Sequence, residues 1–114
     1  MRHVIALHKA LADETRVRIL RVLQELGELC VCDVECGLDI TQSRASRHLT
    51  ILRQAGLVSD RREGQWVYFR IAEPMGRGAK SALAELRIAT ADETRVTRDI
   101  ERTKQVRRSP CRDE

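Results

Sequence analysis

The spacing of apolar residues changes period once along this chain, and that change limits what it can fold into. Up to Gly56 the apolar positions recur three and four apart. From Leu57 to Ile71 they fall in short runs of β-branched and aromatic residues: Leu57 and Val58, then Trp66, Val67, Tyr68, Phe69 and Ile71. Helices followed by a strand–turn–strand unit are therefore expected. All three aromatic residues of the chain, Trp66, Tyr68 and Phe69, lie in that unit. The helical core must then be built from Leu, Val, Ile and Ala. At 114 residues there is room for one domain with a modest core, and a partner subunit is a plausible source of further burial.

The helices can be delimited by their stop and start signals. Val4, Leu7 and Leu11 mark a first helix that ends near Ala12. Asp13 is a natural N-cap for a second, with Val17, Ile19, Leu20, Leu23 and Leu26 on one broad face and Gly27 as its stop. A short helical piece covers 31–38. Thr41 caps the next helix, Gln42 to Gln54, which has an apolar stripe at Ala45, Leu49 and Leu52 and is closed by Gly56. The ribbon is expected to turn at Arg61–Gly64 and return from Gln65 to Ile71. After Pro74, residues 79–105 read as one last helix. Residues 1–105 then form a single domain, with 106–114 as a flexible tail. The hexapeptide ADETRV occurs at 12–17 and again at 91–96, too little to indicate a repeat architecture.

The polar face of the 42–54 helix carries Gln42, Ser43, Arg44, Ser46, Arg47 and His48. A short helix, a tight turn, a helix with such a face and then a basic hairpin is the order of a helix-turn-helix that reads the major groove. Glutamine can pair with adenine and arginine with guanine. Arg53, Arg61 and Arg62 supply cations for phosphates, with Gln65 beside them at the hairpin tip. The plain alternative is a solvated basic helix; the ribbon that follows favours the DNA reader. A formal charge of +4 is a mild excess and adds little by itself.

Three of the four cysteines, Cys30, Cys32 and Cys36, fall within seven residues; the fourth is Cys111. With no signal peptide or membrane span in the sequence, the expected compartment is the cytoplasm, where cysteines are thiols. Cys32 and Cys36 share a helical face, and Cys30 just precedes them. Such a cluster suits a soft ion. Trivalent arsenic or antimony takes three thiolates, whereas tetrahedral zinc wants a fourth ligand, and no histidine lies nearby. Close thiols can also act as a redox switch. Packing as small apolar residues is the third reading. His3 and His8, five apart, do not share a face. No required cofactor is indicated. An enzyme is not expected, because the spacing is CxC and no phosphate cradle is present.

The segments ELCVCD, SRASRHLTILRQAGLV and REGQWVYFRI together resemble the arsenic-responsive branch of the ArsR/SmtB repressors, over about residues 5–72. The resemblance implies a mainly α winged helix-turn-helix with a two-stranded β-ribbon, homodimeric through its first and last helices. It implies that the protein binds double-stranded operator DNA and leaves it when As(III) or Sb(III) binds. It places Cys30 and Cys32 as inducer ligands, Gln42 to His48 on the recognition helix, and Arg61 to Gln65 on the wing. The family's third cysteine lies three residues after the second. Here Glu35 holds that place and the thiol is Cys36, about 100° further round a helix. Cys36, Cys111 or no third thiolate at all are the alternatives.

Overall fold

In the computed structural model, which describes residues 1–108, the first two helices are α1 (Arg2–Leu11) and α2 (Glu14–Leu26). Asp13 caps α2, its carboxylate accepting the Arg16 amide at 3.1 Å, and Gly27 ends it at φ 81°. Strand β1 (Leu29–Cys30) leads directly into α3 (Val31–Leu38). Asp39 takes the left-handed conformation, φ 57°, to close α3, and Thr41 starts α4 (Gln42–Gln54) by accepting the Arg44 amide. Then come β2 (Val58–Glu63), β3 (Trp66–Ile71), α5 (Arg77–Ala89) and α6 (Thr94–Arg108).

The expected ribbon is the larger part of a three-stranded antiparallel sheet of order β1-β3-β2. The third strand was not expected because Leu29–Cys30 is only two residues long, too short to carry a period. It is held by register, with Leu29 opposite Phe69 and Cys30 opposite Tyr68. The turn is also tighter than expected. Arg61, Arg62 and Glu63 stay in the ladder opposite Tyr68, Val67 and Trp66, and only Gly64 and Gln65 turn. Gly64 has φ 63°, the conformation that a two-residue hairpin loop demands of its first residue.

The core is aliphatic. Ile19, Leu20 and Leu23 of α2 meet Leu29, Val34, Leu38, Leu49, Leu52 and Leu57, with Phe69 the one deeply buried aromatic. The single last helix expected over 79–105 is two helices, and the second runs to Arg108, past the expected boundary at 105. Thr90 ends α5, its hydroxyl donating to the Leu86 carbonyl and accepting from Arg21. The second ADETRV also lies at a helix start, but α6 begins at its Thr94, one place later in the hexapeptide than α2 begins at Glu14. Arg95 of the second copy pairs with Glu14 of the first at 3.0 Å.

Helix α6 folds back across α2 and α3. Arg18 of α2 grips Asp99 of α6 with two bonds, 2.7 and 2.9 Å, and also donates to the Leu38 carbonyl at the end of α3. Asp99 is nearly buried, and the bond holds the Arg18 guanidinium firmly protonated. Where α3 and α6 touch, Gly37 leaves room for the buried Thr103; a Cβ at 37 would collide with the Thr103 hydroxyl. Removing one partner of a buried ion pair strands the other. Asp99→Ala should therefore cost about 3 kcal/mol in urea denaturation. Gly37→Ala should cost about 1–3 kcal/mol through overpacking. Neither touches the exposed face of α4.

Candidate nucleic-acid interface and thiol site

Helix α4 presents two distinct faces. Gln42, Ser43, Arg44, Ser46 and Arg47 are exposed, while Ala45, His48, Leu49 and Leu52 are buried. Five of the six residues expected to meet DNA on this helix thus stand together on one open surface of polar and cationic groups. His48 does not join them. It is 5% exposed, and its Nδ1 lies 3.1 Å from Arg16 Nη1. Arg16 also donates to the Ala10 carbonyl at 2.8 Å and the Lys9 carbonyl at 3.1 Å, so it ties α4 to both α1 and α2. Residue 48 lies three and four positions from Ala45 and Leu52, on the stripe that faces the core, a position its polar side chain disguises in the sequence.

At the wing, Arg61, Arg62 and Gln65 are all exposed. Arg61 is not an unattached cation: it makes two bonds to Glu28, 2.7 and 2.8 Å, a third to Glu63 at 2.7 Å, and lies 4.6 Å above the Tyr68 ring. These bonds hold the Glu28 carboxyl below the usual carboxylate range. Among the described residues Arg62 and Gln65 make no such bonds, and both are exposed at the wing tip. Arg53, at the end of α4, pairs with Asp60 of β2. Glu28 went unnoticed in the sequence because its partner is 33 residues away.

The thiol cluster sits where the sheet joins the helix pair. Cys30 is 2% exposed and belongs at once to β1 and to the N-cap of α3. Its Sγ accepts the Cys32 amide at 3.4 Å, and its own amide donates to Asp33 at 3.0 Å, a reciprocal capping arrangement. Cys32 is half-buried beside it, and neither is in a disulfide. The soft donors of Cys30 and Cys32 are therefore neighbours at one helix start. Cys36 stands one helical turn beyond Cys32 and is disulfide-bonded here, unlike Cys30 and Cys32. It is half-exposed on α3, and its carbonyl receives Arg102 of α6. Cys111 lies outside the described residues. Among the described residues no three His, Cys, Asp or Glu side chains are gathered as a metal site. Cys30 and Cys32 are two soft donors two residues apart, which fits part of a three-thiolate set.

Burial pushes the His48 imidazole below its ordinary value, with the nearby arginines adding to the shift and Asp13 opposing it. A depressed folded-state value means stability is present above the unfolded value and lost as pH falls through the folded one. Urea denaturation from pH 7.5 to 5 should show wild-type stability falling below about pH 6.5. His48→Gln should lower stability at pH 7.5 and flatten that fall.

Residues 13–60 match the sequence pattern of the bacterial regulatory proteins of the arsR family. The chain is 54% identical over 68 residues to an arsenical resistance operon repressor of Escherichia coli, a match covering 60% of this chain and 58% of the relative. It is 38% identical over 73 residues to one of Bacillus subtilis, covering 64% and 70%. Among the first such relatives the chain spans about half of their length, 58%, 55% and 49%. A homodimeric winged helix-turn-helix DNA-binding domain of Mycobacterium bovis superposes with a TM-score of 0.67 and 31% identity, over 82% of each chain. The match over residues 13–60 and the 38% identity to the Bacillus subtilis relative, covered to 70% of its length, place the chain in the arsR family of bacterial regulatory proteins.

Proposed function

We propose that this chain is a cytoplasmic transcriptional repressor. It binds operator DNA as a homodimer and leaves it when trivalent arsenic or antimony engages Cys30 and Cys32. The observation that carries the reading is the double membership of Cys30, which caps α3 of the helix-turn-helix and pairs with Tyr68 of the wing strand. The relatives named as arsenical resistance repressors support the choice of ligand.

The ligand supplies a soft centre that takes thiolates. The rest is done by the chain's own residues. The Cys30 sulfur holds the Cys32 amide, and Asp33 holds the Cys30 amide. Drawing the two sulfurs toward each other gives up that cap and shifts the start of α3. Because α3 turns directly into α4, the groove-facing surface shifts with it. The same movement pulls on β3, and through Glu28–Arg61 on the wing. Coupling of this kind is reciprocal. A hundredfold loss of operator affinity corresponds to about 2.7 kcal/mol.

The dimer forms through α1 and α5. Val4 and Ile5 of α1 and Ile88 of α5 are exposed at 54%, 48% and 71%. Helix α6, the last in sequence, instead spends its apolar face on α2 and α3. Two copies then read half-sites about one helical turn, or a multiple of it, apart.

A titration of operator release tests the ligand assignment. Serine is a good N-cap, so Cys30→Ser should keep the fold and the operator affinity while abolishing release by arsenite. Cys32→Ser should do the same. Normal release from the double variant would sink the assignment. The disulfide at Cys36 favours a second reading, thiol redox sensing on the same scaffold; release by peroxide without metalloid, lost in Cys36→Ser, is its signature. For the dimer, Ile5→Glu with Ile88→Glu should give monomers in sedimentation velocity and lose operator binding.

A further inference from the structure

Outside the surfaces just described, one cleft of about 550 Å³ lies between the starts of α2 and α4 and the side of α6. It is lined by five arginines and three carboxylates. Two of the carboxylates are already engaged: Asp99 with Arg18, and Glu14 with Arg95. Asp39, at the rim, is the third. Against these stand three exposed guanidinium groups with little to hold them. Arg44, in the first turn of α4, reaches only the Thr15 hydroxyl at 3.5 Å. Arg102 reaches only the Cys36 carbonyl, also at 3.5 Å. Arg98 has neither ion pair nor side-chain hydrogen bond among the described residues.

Arg95, Arg98 and Arg102 follow one another at three and four residues, so they form a row along one face of α6. Seven residues of helix advance about 10 Å, which along the duplex axis corresponds to about three base-pair steps of 3.4 Å. Arg44 belongs to this cleft and also to the exposed face of α4, so the row continues the proposed groove-reading surface without a break.

We propose that α6 is a second phosphate-binding element. Arg98 and Arg102, continuing from Arg44, would hold the backbone of duplex DNA flanking the half-site that α4 reads. The contacts carry no base information: they add affinity and salt dependence, and leave sequence preference to α4. The proposal rests on the operator-binding reading and extends it to a helix to which nothing above gave a part in binding. An elongated row suits a strand of phosphates better than a single small anion, which would need its donors converging on one point.

The test is fluorescence anisotropy on an operator duplex and a random duplex of equal length, from 50 to 400 mM KCl. It compares wild type, Arg98→Gln/Arg102→Gln, and Arg77→Gln on α5 as a control. The double variant should lose about tenfold in affinity at the lowest salt, equally on both duplexes. Its salt slope should be shallower by about two for each bound protomer. Its melting temperature and the control's slope should stay at wild-type values. Trimming the flanks of the operator should erase the difference between the double variant and wild type. An unchanged slope overturns the proposal. So does a loss confined to the operator, or a fall in melting temperature that accounts for the weaker binding. Pyrophosphate raising the wild-type melting temperature but not the variant's, with equal DNA slopes, would make this a small-anion site and also overturn it. A parallel variant, Gln42→Ala/Arg47→Ala, separates the two readings. If it binds operator as wild type does, operator reading by α4 fails. If it loses operator binding while the double variant keeps its slope, only the role of α6 falls.

Discussion

Two residues of strand hold the functional parts of this molecule in one frame. Leu29 and Cys30 pair with Phe69 and Tyr68, so the wing is joined to the start of α3 by a ladder as well as by the packing of Val58 and Phe69 in the core. The pairing also fixes the place where α3 begins, because the next residue after the strand is already helical. Leu29 is fully buried beneath this junction, and Cys30 nearly so. A change in the position of Cys30 therefore cannot be absorbed locally: on one side is a ladder, on the other a helix cap, and below is close-packed aliphatic core.

A second tie works at the opposite end of α3. Arg18 joins Asp99 and the Leu38 carbonyl, and Gly37 admits Thr103, so the helix carrying Cys32 and Cys36 is clasped along its length by α6. With its start paired to the sheet and its end clasped by α6, α3 is held at both ends. A surface ion pair could not do this, since exposed pairs contribute little and yield easily. Arg61 is different: its partners Glu28 and Glu63 and the Tyr68 ring hold it by several contacts at once.

Much of this could be read from the residues. Asp13, Thr41, Gly27 and the stripe of Ala45, Leu49 and Leu52 placed α2 and α4 correctly because caps and helical period are local signals. The exposed face of α4 followed from the same period. What escaped depends on distant contacts. Strand β1 has too few residues to show a pattern. At the break, Thr90 is bonded by Arg21 from 69 residues away, a contact no local pattern shows. His48 looked like a reader of bases, and only the position of Arg16 shows which way it turns. The paired thiols at 30 and 32 were visible as composition, but not the fact that one of them caps a helix.

The burial of His48 beneath Arg16 has a bearing on how this surface can diverge. Because α4 is fastened from below, through Arg16 to two other helices and through Leu49 and Leu52 to the core, its outward residues carry almost none of its attachment. Gln42, Ser43, Ser46 and Arg47 can be exchanged with small effect on folding, since substitutions at such exposed positions rarely move stability by more than about half a kcal/mol. The outward face of α4 can therefore change one residue at a time while the helix keeps its place in the fold.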